Sequence, residues 1–159
     1  MEEKDYTLIF CRRVNESTGA KEILLGMKKR GFGMGKWNGF GGKLELDETI
    51  EECAVRELQE ESFIDAQEMI RRGYLVFKML ESNKIMRVHV FETWKFSDAN
   101  LAESEEMRPQ WYNENELPFK DMWPDDQYWV PFLLSGKNFV GRFVYEDDET
   151  ITEHDIREQ

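Results

Sequence analysis

Cysteine and histidine are scarce in this chain, with two of each in 159 residues, and there are only four prolines. Two cysteines cannot make a disulfide framework. Cys11 falls in a strand-like run and Cys53 in a helical one, so both read as small core residues. That usage fits a reducing compartment, the cytosol, with nucleus and mitochondrial matrix as alternatives. His89 lies in the alternating run VHVF and His154 in an acidic tail, so neither suggests a metal or catalytic centre. Positive charge is also short. Against 33 acidic residues stand 21 Lys and Arg, a formal net charge of −12. A duplex nucleic-acid binder needs a basic footprint, so that class is excluded. No apolar run approaches the length that spans a membrane, and MEEKDYTLIF lacks the features of a signal peptide. Walker A and G-x-G-x-x-G loops are missing too.

What is present is 40% hydrophobic and 13% aromatic, the composition of a folded domain with a sizeable core. No linker or repeat interrupts it, so residues 1–159 read as a single domain without a partner subunit. Tyr6–Val14 and Glu22–Met27 read as a strand hairpin across the turn Asn15–Lys21. Gly73–Leu80 and Lys84–Phe96 read as antiparallel strands turning at Ser82–Asn83. Asp98–Arg108 is an acidic connection, Gln110–Tyr112 a short strand, and Phe139–Tyr145 another. A second helix is expected from Pro124 to about Leu134, with Pro131 inside it. Strands outnumber helices, which predicts a central mixed sheet with helices on its faces.

One stretch organises the chemistry. Arg30–Lys43 carries six glycines, a composition that lets backbone approach a ligand closely. It leads into an acidic helix capped by Thr49 and Glu52, with Ile50, Ala54 and Leu58 as its core-facing stripe. Glu57, Glu60 and Glu61 stand at i, i+3 and i+4, so three carboxylates share a face. Their repulsion is resolved by a hard divalent cation such as Mg²⁺, which also takes substrate phosphates. Arg56, four residues from both Glu52 and Glu60, can brace them. Alone, the cluster would equally suit a solvated helix face.

Gly42–Ile64 resembles the signature of the Nudix hydrolases, G-x5-E-x7-R-E-U-x-E-E-x-G-U with U aliphatic. Gly42, Glu48, Arg56, Glu57, Leu58, Glu60, Glu61 and Ile64 match it, and Phe63 departs where the pattern has glycine. A glycine there suits a left-handed helix end. With Phe63 the helix is expected to end differently, running on through Asp65. GMKKRGFG, KWNGFGGK, ESEEMRPQW and PFKDMWPDDQYW are similar to the branch of the family that clears oxidised purine nucleoside triphosphates. The resemblance implies an α/β/α sandwich and Mg²⁺-dependent hydrolysis of 8-oxo-dGTP and 2-oxo-dATP to the monophosphate and pyrophosphate, with Mn²⁺ as an alternative ion.

The resemblance further implies metal ligation by Glu57, Glu60, Glu61, Glu106 and the carbonyl of Gly41. Arg56 would brace them, and Glu60 is the candidate general base. Substrate contacts are implied at Thr7, Lys28, Phe32, Asn38, Phe40, Gly41, Gly42, Lys43, Trp123, Pro124, Asp125 and Asp126. Trp123 offers a flat partner for a purine, and Asn38 both donates and accepts. Adjacent Asp125 and Asp126 should hold a proton between them, unless they merely cap a helix. Phe32, Phe77, Met86 and Trp129 suit either pocket or core. Two rival readings remain: another Nudix substrate, or a nucleotide-binding module without catalysis.

Overall fold

The computed structural model describes residues 1–159. In chain order the elements are β1 (Glu2–Val14), β2 (Lys21–Lys28), β3 (Trp37–Asn38), α1 (Ile50–Ser62), β4 (Asp65–Met79), β5 (Lys84–Ser97), β6 (Met107–Asn113), α2 (Asp126–Leu134), β7 (Phe139–Asp147) and β8 (Thr150–Glu158). All eight strands join one mixed sheet, in the order β3-β2-β1-β5-β4-β7-β8, with β6 also paired to β2. The expected hairpin is there, with Arg12 opposite Ile23 and Val14 opposite Lys21. β1 runs parallel to β5, and β4 parallel to β7. The acidic C-terminal segment pairs antiparallel with β7 and closes that edge.

Strand alternation sends successive side chains to opposite faces, and each face carries one helix. Ile9, Cys11 and Leu24 pack with Ala54 and Leu58 of α1. Phe10, Ile23 and Leu25 pack with Trp129, Val130 and Leu133 of α2. The result is an α/β/α sandwich whose sheet is buried on both sides. Each fully buried side chain of this size contributes about 1.5–3 kcal/mol.

α1 begins as its sequence dictates. The Thr49 hydroxyl accepts from the Glu52 amide at 3.1 Å, and the Glu52 carboxylate accepts from the Thr49 amide at 2.9 Å. Its end corrects the expectation at Phe63. The helix does not run on through Asp65. It stops at Ser62, and Phe63 takes the left-handed conformation (φ 64°, ψ 23°) while its amide donates to the Gln59 carbonyl. Ile64 is fully buried, and β4 starts at Asp65, so the chain must turn here. Tertiary packing overrides the preference of the side chain. α2 starts two residues after Pro124, and the helix continues past Pro131 to Leu134.

Candidate active site

The glycine-rich loop crosses the middle of β1. Ile9 and Phe40 exchange backbone hydrogen bonds of 2.7 and 3.0 Å, and the Thr7 amide donates to Gly42 at 3.0 Å. This crossing explains Gly41, where a Cβ would lie 1.8 Å from the Thr7 carbonyl oxygen. At Gly42 a Cβ would meet the Glu57 carboxylate at 2.5 Å. The two glycines thus bring backbone directly onto the acidic helix. The Gly41 amide donates to Glu61 at 2.9 Å, the Arg56 guanidinium donates to the Lys43 carbonyl at 3.1 Å, and the loop is pinned to α1.

The carboxylates are held in two groups, one by Arg56 and the other by Lys28 with Arg30. Arg56 Nη1 lies 2.9 Å from Glu57 and 3.2 Å from Glu60, while its Nε reaches Glu48 at 2.6 Å. Lys28 Nζ lies 3.2 Å from Glu106 and 3.9 Å from Glu61, bridging them. Burial pushes the carboxyl of Glu61 up to about 7, with repulsion from Glu57 and Glu106 adding to it. Burial also raises Glu57. Glu106 is lowered instead, chiefly by its hydrogen bond from Arg30. As they stand, no three of these groups converge as a ligand shell. The donors nevertheless fit a divalent ion. They are hard oxygens, two of them protonate more readily because of burial and crowding, and an ammonium already stands between Glu61 and Glu106.

Beside this rim opens a cavity of about 340 Å³. Its wall includes Thr7, Lys28, Phe32, Asn38, Gly41, Gly42, Lys43, Glu61, Trp123, Asp125 and Asp126 of the expected contacts, and Phe77, Met86 and Trp129 as well. Two expected contacts fall outside it. Phe40 is completely buried in the cluster under α1, where its ring packs against Gly26, so it supports the loop from beneath. Pro124 does not line the cavity, and its carbonyl accepts from the Gln127 side chain at 3.1 Å. Thr7 directs its hydroxyl to the Cys53 thiol at 3.3 Å, on the α1 side. Residues that sequence reasoning missed also line the cavity: Tyr6, Leu8, Lys36, Met79, Lys84 and Tyr145. Strand alternation in FVGRFVY was the available signal for Tyr145. Nothing local pointed to Lys84.

At one end of the cavity the Phe32 and Trp123 rings stack at 5.0 Å. The Asn38 Oδ1 accepts from the Gly39 amide at 2.8 Å, which leaves its NH₂ free to donate. Asp125 and Asp126 are both almost completely buried. Asp125 accepts from Trp129 Nε1 at 2.6 Å and from the Tyr145 hydroxyl. It makes no capping bond to α2, so the helix-cap reading of its side chain fails. Asp126 has an oxygen, Oδ2, that is buried without any partner. Burial raises both carboxyls, and the neighbouring Asp125 charge raises Asp126 further. Donation from Tyr145 and Trp129 offsets part of the rise at Asp125, whereas Asp126 has only the charge of Lys36 against it, so Asp126 is the more strongly raised of the two.

A rim of carboxylates on a glycine-loop–helix unit, beside an aromatic cavity, defines a family. Residues 9–133 match the NUDIX domain, and the chain belongs to the Nudix hydrolases. That membership carries a general requirement for a divalent metal ion. The chain is 48% identical to the oxidized purine nucleoside triphosphate hydrolase of Mus musculus over 138 residues, covering 87% of this chain and 88% of that protein. It is 46% identical to the Danio rerio protein of the same description, covering 86% of each. A MutT protein from Bacillus halodurans superposes with a TM-score of 0.82, covering 96% of this chain and 97% of the other. At 22% identity that likeness shows the fold alone.

Proposed function

We propose that this chain hydrolyses oxidised purine nucleoside triphosphates, 8-oxo-dGTP and 2-oxo-dATP among them, to the monophosphate and pyrophosphate, and so cleanses the nucleotide pool after oxidative damage. The observation that carries the reading is the buried Asp125–Asp126 pair at the aromatic end of a cavity whose other wall holds Glu61. A carboxyl with a proton to give and a carboxylate beside it can match a purine edge that presents both an acceptor and a donor. Oxidation changes that edge: 8-oxo-guanine and 2-oxo-adenine have altered tautomers, and moving the proton within the pair lets one site accept either. Asn38 supplies a further donor, and Trp123 the stacking face.

Glu57, Glu60, Glu61, Glu106 and the Gly41 carbonyl would hold Mg²⁺, or Mn²⁺ in its place. The ion supplies neutralisation of the phosphate oxygens during attack by water. Arg56 orients Glu57 and Glu60, and the glycines keep Glu57 and Glu61 against the loop. Water adds to phosphorus, the phosphoanhydride P–O bond breaks, and Glu60, exposed at the rim, takes the proton. The chain works as a one-domain monomer on a small nucleotide, without nucleic acid or membrane. No helix is long and apolar enough to cross a membrane. Its two free, buried thiols suit the cytosol.

Two variants test the two ends of the cavity. Glu61→Gln should lose on the order of a hundredfold or more in kcat while keeping its melting temperature, because it removes an oxygen donor from the metal rim. Asp125→Asn should lose selectivity for the oxidised over the normal purine. Wild-type turnover by Glu61→Gln would refute the metal assignment, and unchanged selectivity in Asp125→Asn would refute the recognition assignment.

A further inference from the structure

The lysines of the cavity wall are not alike. Lys28 is paired with Glu106 and Glu61, and Lys36 with Glu149 at 2.8 Å. Lys43 and Lys84 line the same wall and form no ion pair, in a chain with 33 acidic residues. Lys84 stands at the start of β5, on the strand face that also presents Met86 and Val88 to the cavity. Its ammonium lies 4.1 Å from the centre of the Phe32 ring. Lys43 is anchored at the carboxylate end, where its carbonyl accepts from Arg56 and the preceding Gly42 packs on Glu57. Burial and the charge of Lys43 both lower the pKa of Lys84, while Asp148 and Glu2 offset this only from a distance. Two unpaired cations that repel each other from one cavity wall favour a bound anion.

We infer that Lys84, at the start of β5, together with Lys43 of the glycine-rich loop, binds the polyphosphate chain of the substrate. The inference rests on the phosphate-bearing substrate proposed above and adds a binding residue that the family motif does not contain. The substrate then meets positive charge on two sides: Lys84 of β5 with Lys43 of the glycine-rich loop, and Lys28 of β2 with the metal held by the carboxylates of α1. The Lys84 ammonium also rests on the Phe32 ring, a contact that an unbranched thioether can keep.

Calorimetric titration separates this from a purely structural role. Inorganic tripolyphosphate and 8-oxo-deoxyguanosine, which has no phosphate, are titrated separately with saturating Mg²⁺ into wild type, Lys84→Met and Lys84→Arg. Methionine keeps an unbranched stem and a favourable contact with the ring. Lys84→Met should weaken tripolyphosphate about tenfold, the loss of one charge-assisted contact, and leave the nucleoside unaffected. Lys84→Arg should recover most of the tripolyphosphate affinity. The inference is overturned if the wild type does not bind tripolyphosphate, if Lys84→Met binds it as wild type does, or if both ligands weaken equally. A wild type that binds tripolyphosphate but not the nucleoside would count against the oxidised-purine reading, while the Lys84 comparison still stands.

Discussion

Asp126 carries the least comfortable atom in the molecule, a carboxyl oxygen buried without a partner. Leaving such a group unmatched costs about 1–3 kcal/mol, and a bound base would restore the missing bond. The proton on Asp126 has a consequence for stability. Unfolded, this carboxyl titrates near its ordinary 3.8; folded, burial and Asp125 hold it well above that. The folded chain therefore binds a proton that the unfolded chain has released, and stability falls as pH rises from about 4 toward the folded value. Asp126→Asn, which cannot ionise, should flatten the decline in melting temperature as pH rises above about 4. A variant profile as steep as the wild type would contradict the assignment of the proton. That burial and repulsion raise this pair was legible in WPDD, but the donors that make the two carboxyls unequal were not. Trp129 is four residues on, while Tyr145 comes from β7 across the sheet. Phe40 shows the opposite limit: the family resemblance suggested a substrate contact, and only the crossing over β1 reveals that the ring points into the core.

At the scale of the element, α1 was the most legible part of the chain. Its cap, its apolar stripe and its acidic face all follow from helical periodicity. Its end did not, because the signature glycine is replaced and local preference gives way to the demand that Ile64 be buried. Phe63 holds the left-handed conformation with its side chain partly exposed. For a residue with a Cβ this costs about 1–2 kcal/mol. Phe63→Gly should therefore raise the unfolding free energy, by about 0.5–1 kcal/mol after the extra freedom of glycine in the unfolded chain is counted. Denaturant unfolding of the two proteins measures it. A destabilised Phe63→Gly would mean that the ring contributes more than its conformation costs. The strands were easier to find than to bound: β1 and β4 extend well beyond their apolar centres, since sheet pairing recruits polar residues that alternation alone leaves out.

Across the whole molecule, a buried ion network fastens the sheet away from the cavity. Arg12 is almost fully buried and donates to Glu92 at 3.2 Å, to the Glu22 carbonyl at 3.3 Å and to Glu114, with its guanidinium 4.7 Å from the centre of the Trp94 ring. Glu92 also takes Arg72, which reaches on to the Gly136 carbonyl and Asn138. One guanidinium thus ties together β1, β5 and the segment after β6, and its partner leads to β4 and β7. Removing one side of such a pair leaves charge buried, so Arg12→Met should destabilise the fold by about 3 kcal/mol, and adding Glu92→Gln should recover part of that loss. Urea unfolding of the single and double variants tests this coupling, and simple additivity would contradict it. The network was invisible in sequence because Arg12, Glu92 and Glu114 are brought together only by strand order. The same is true of the cavity. Asn38, Glu61 and Asp126 lie on three separate segments, and the sheet assembles them on one surface. On that surface the chain is proposed to hydrolyse damaged purine nucleotides with Mg²⁺. The most direct test measures kcat/KM for pyrophosphate release from 8-oxo-dGTP and dGTP, with and without Mg²⁺. The predicted result is release that needs Mg²⁺ and favours 8-oxo-dGTP by on the order of tenfold or more, a difference of at least about 1.4 kcal/mol in transition-state binding. Equal values for the two nucleotides, or release undiminished by chelation of the metal, would contradict it.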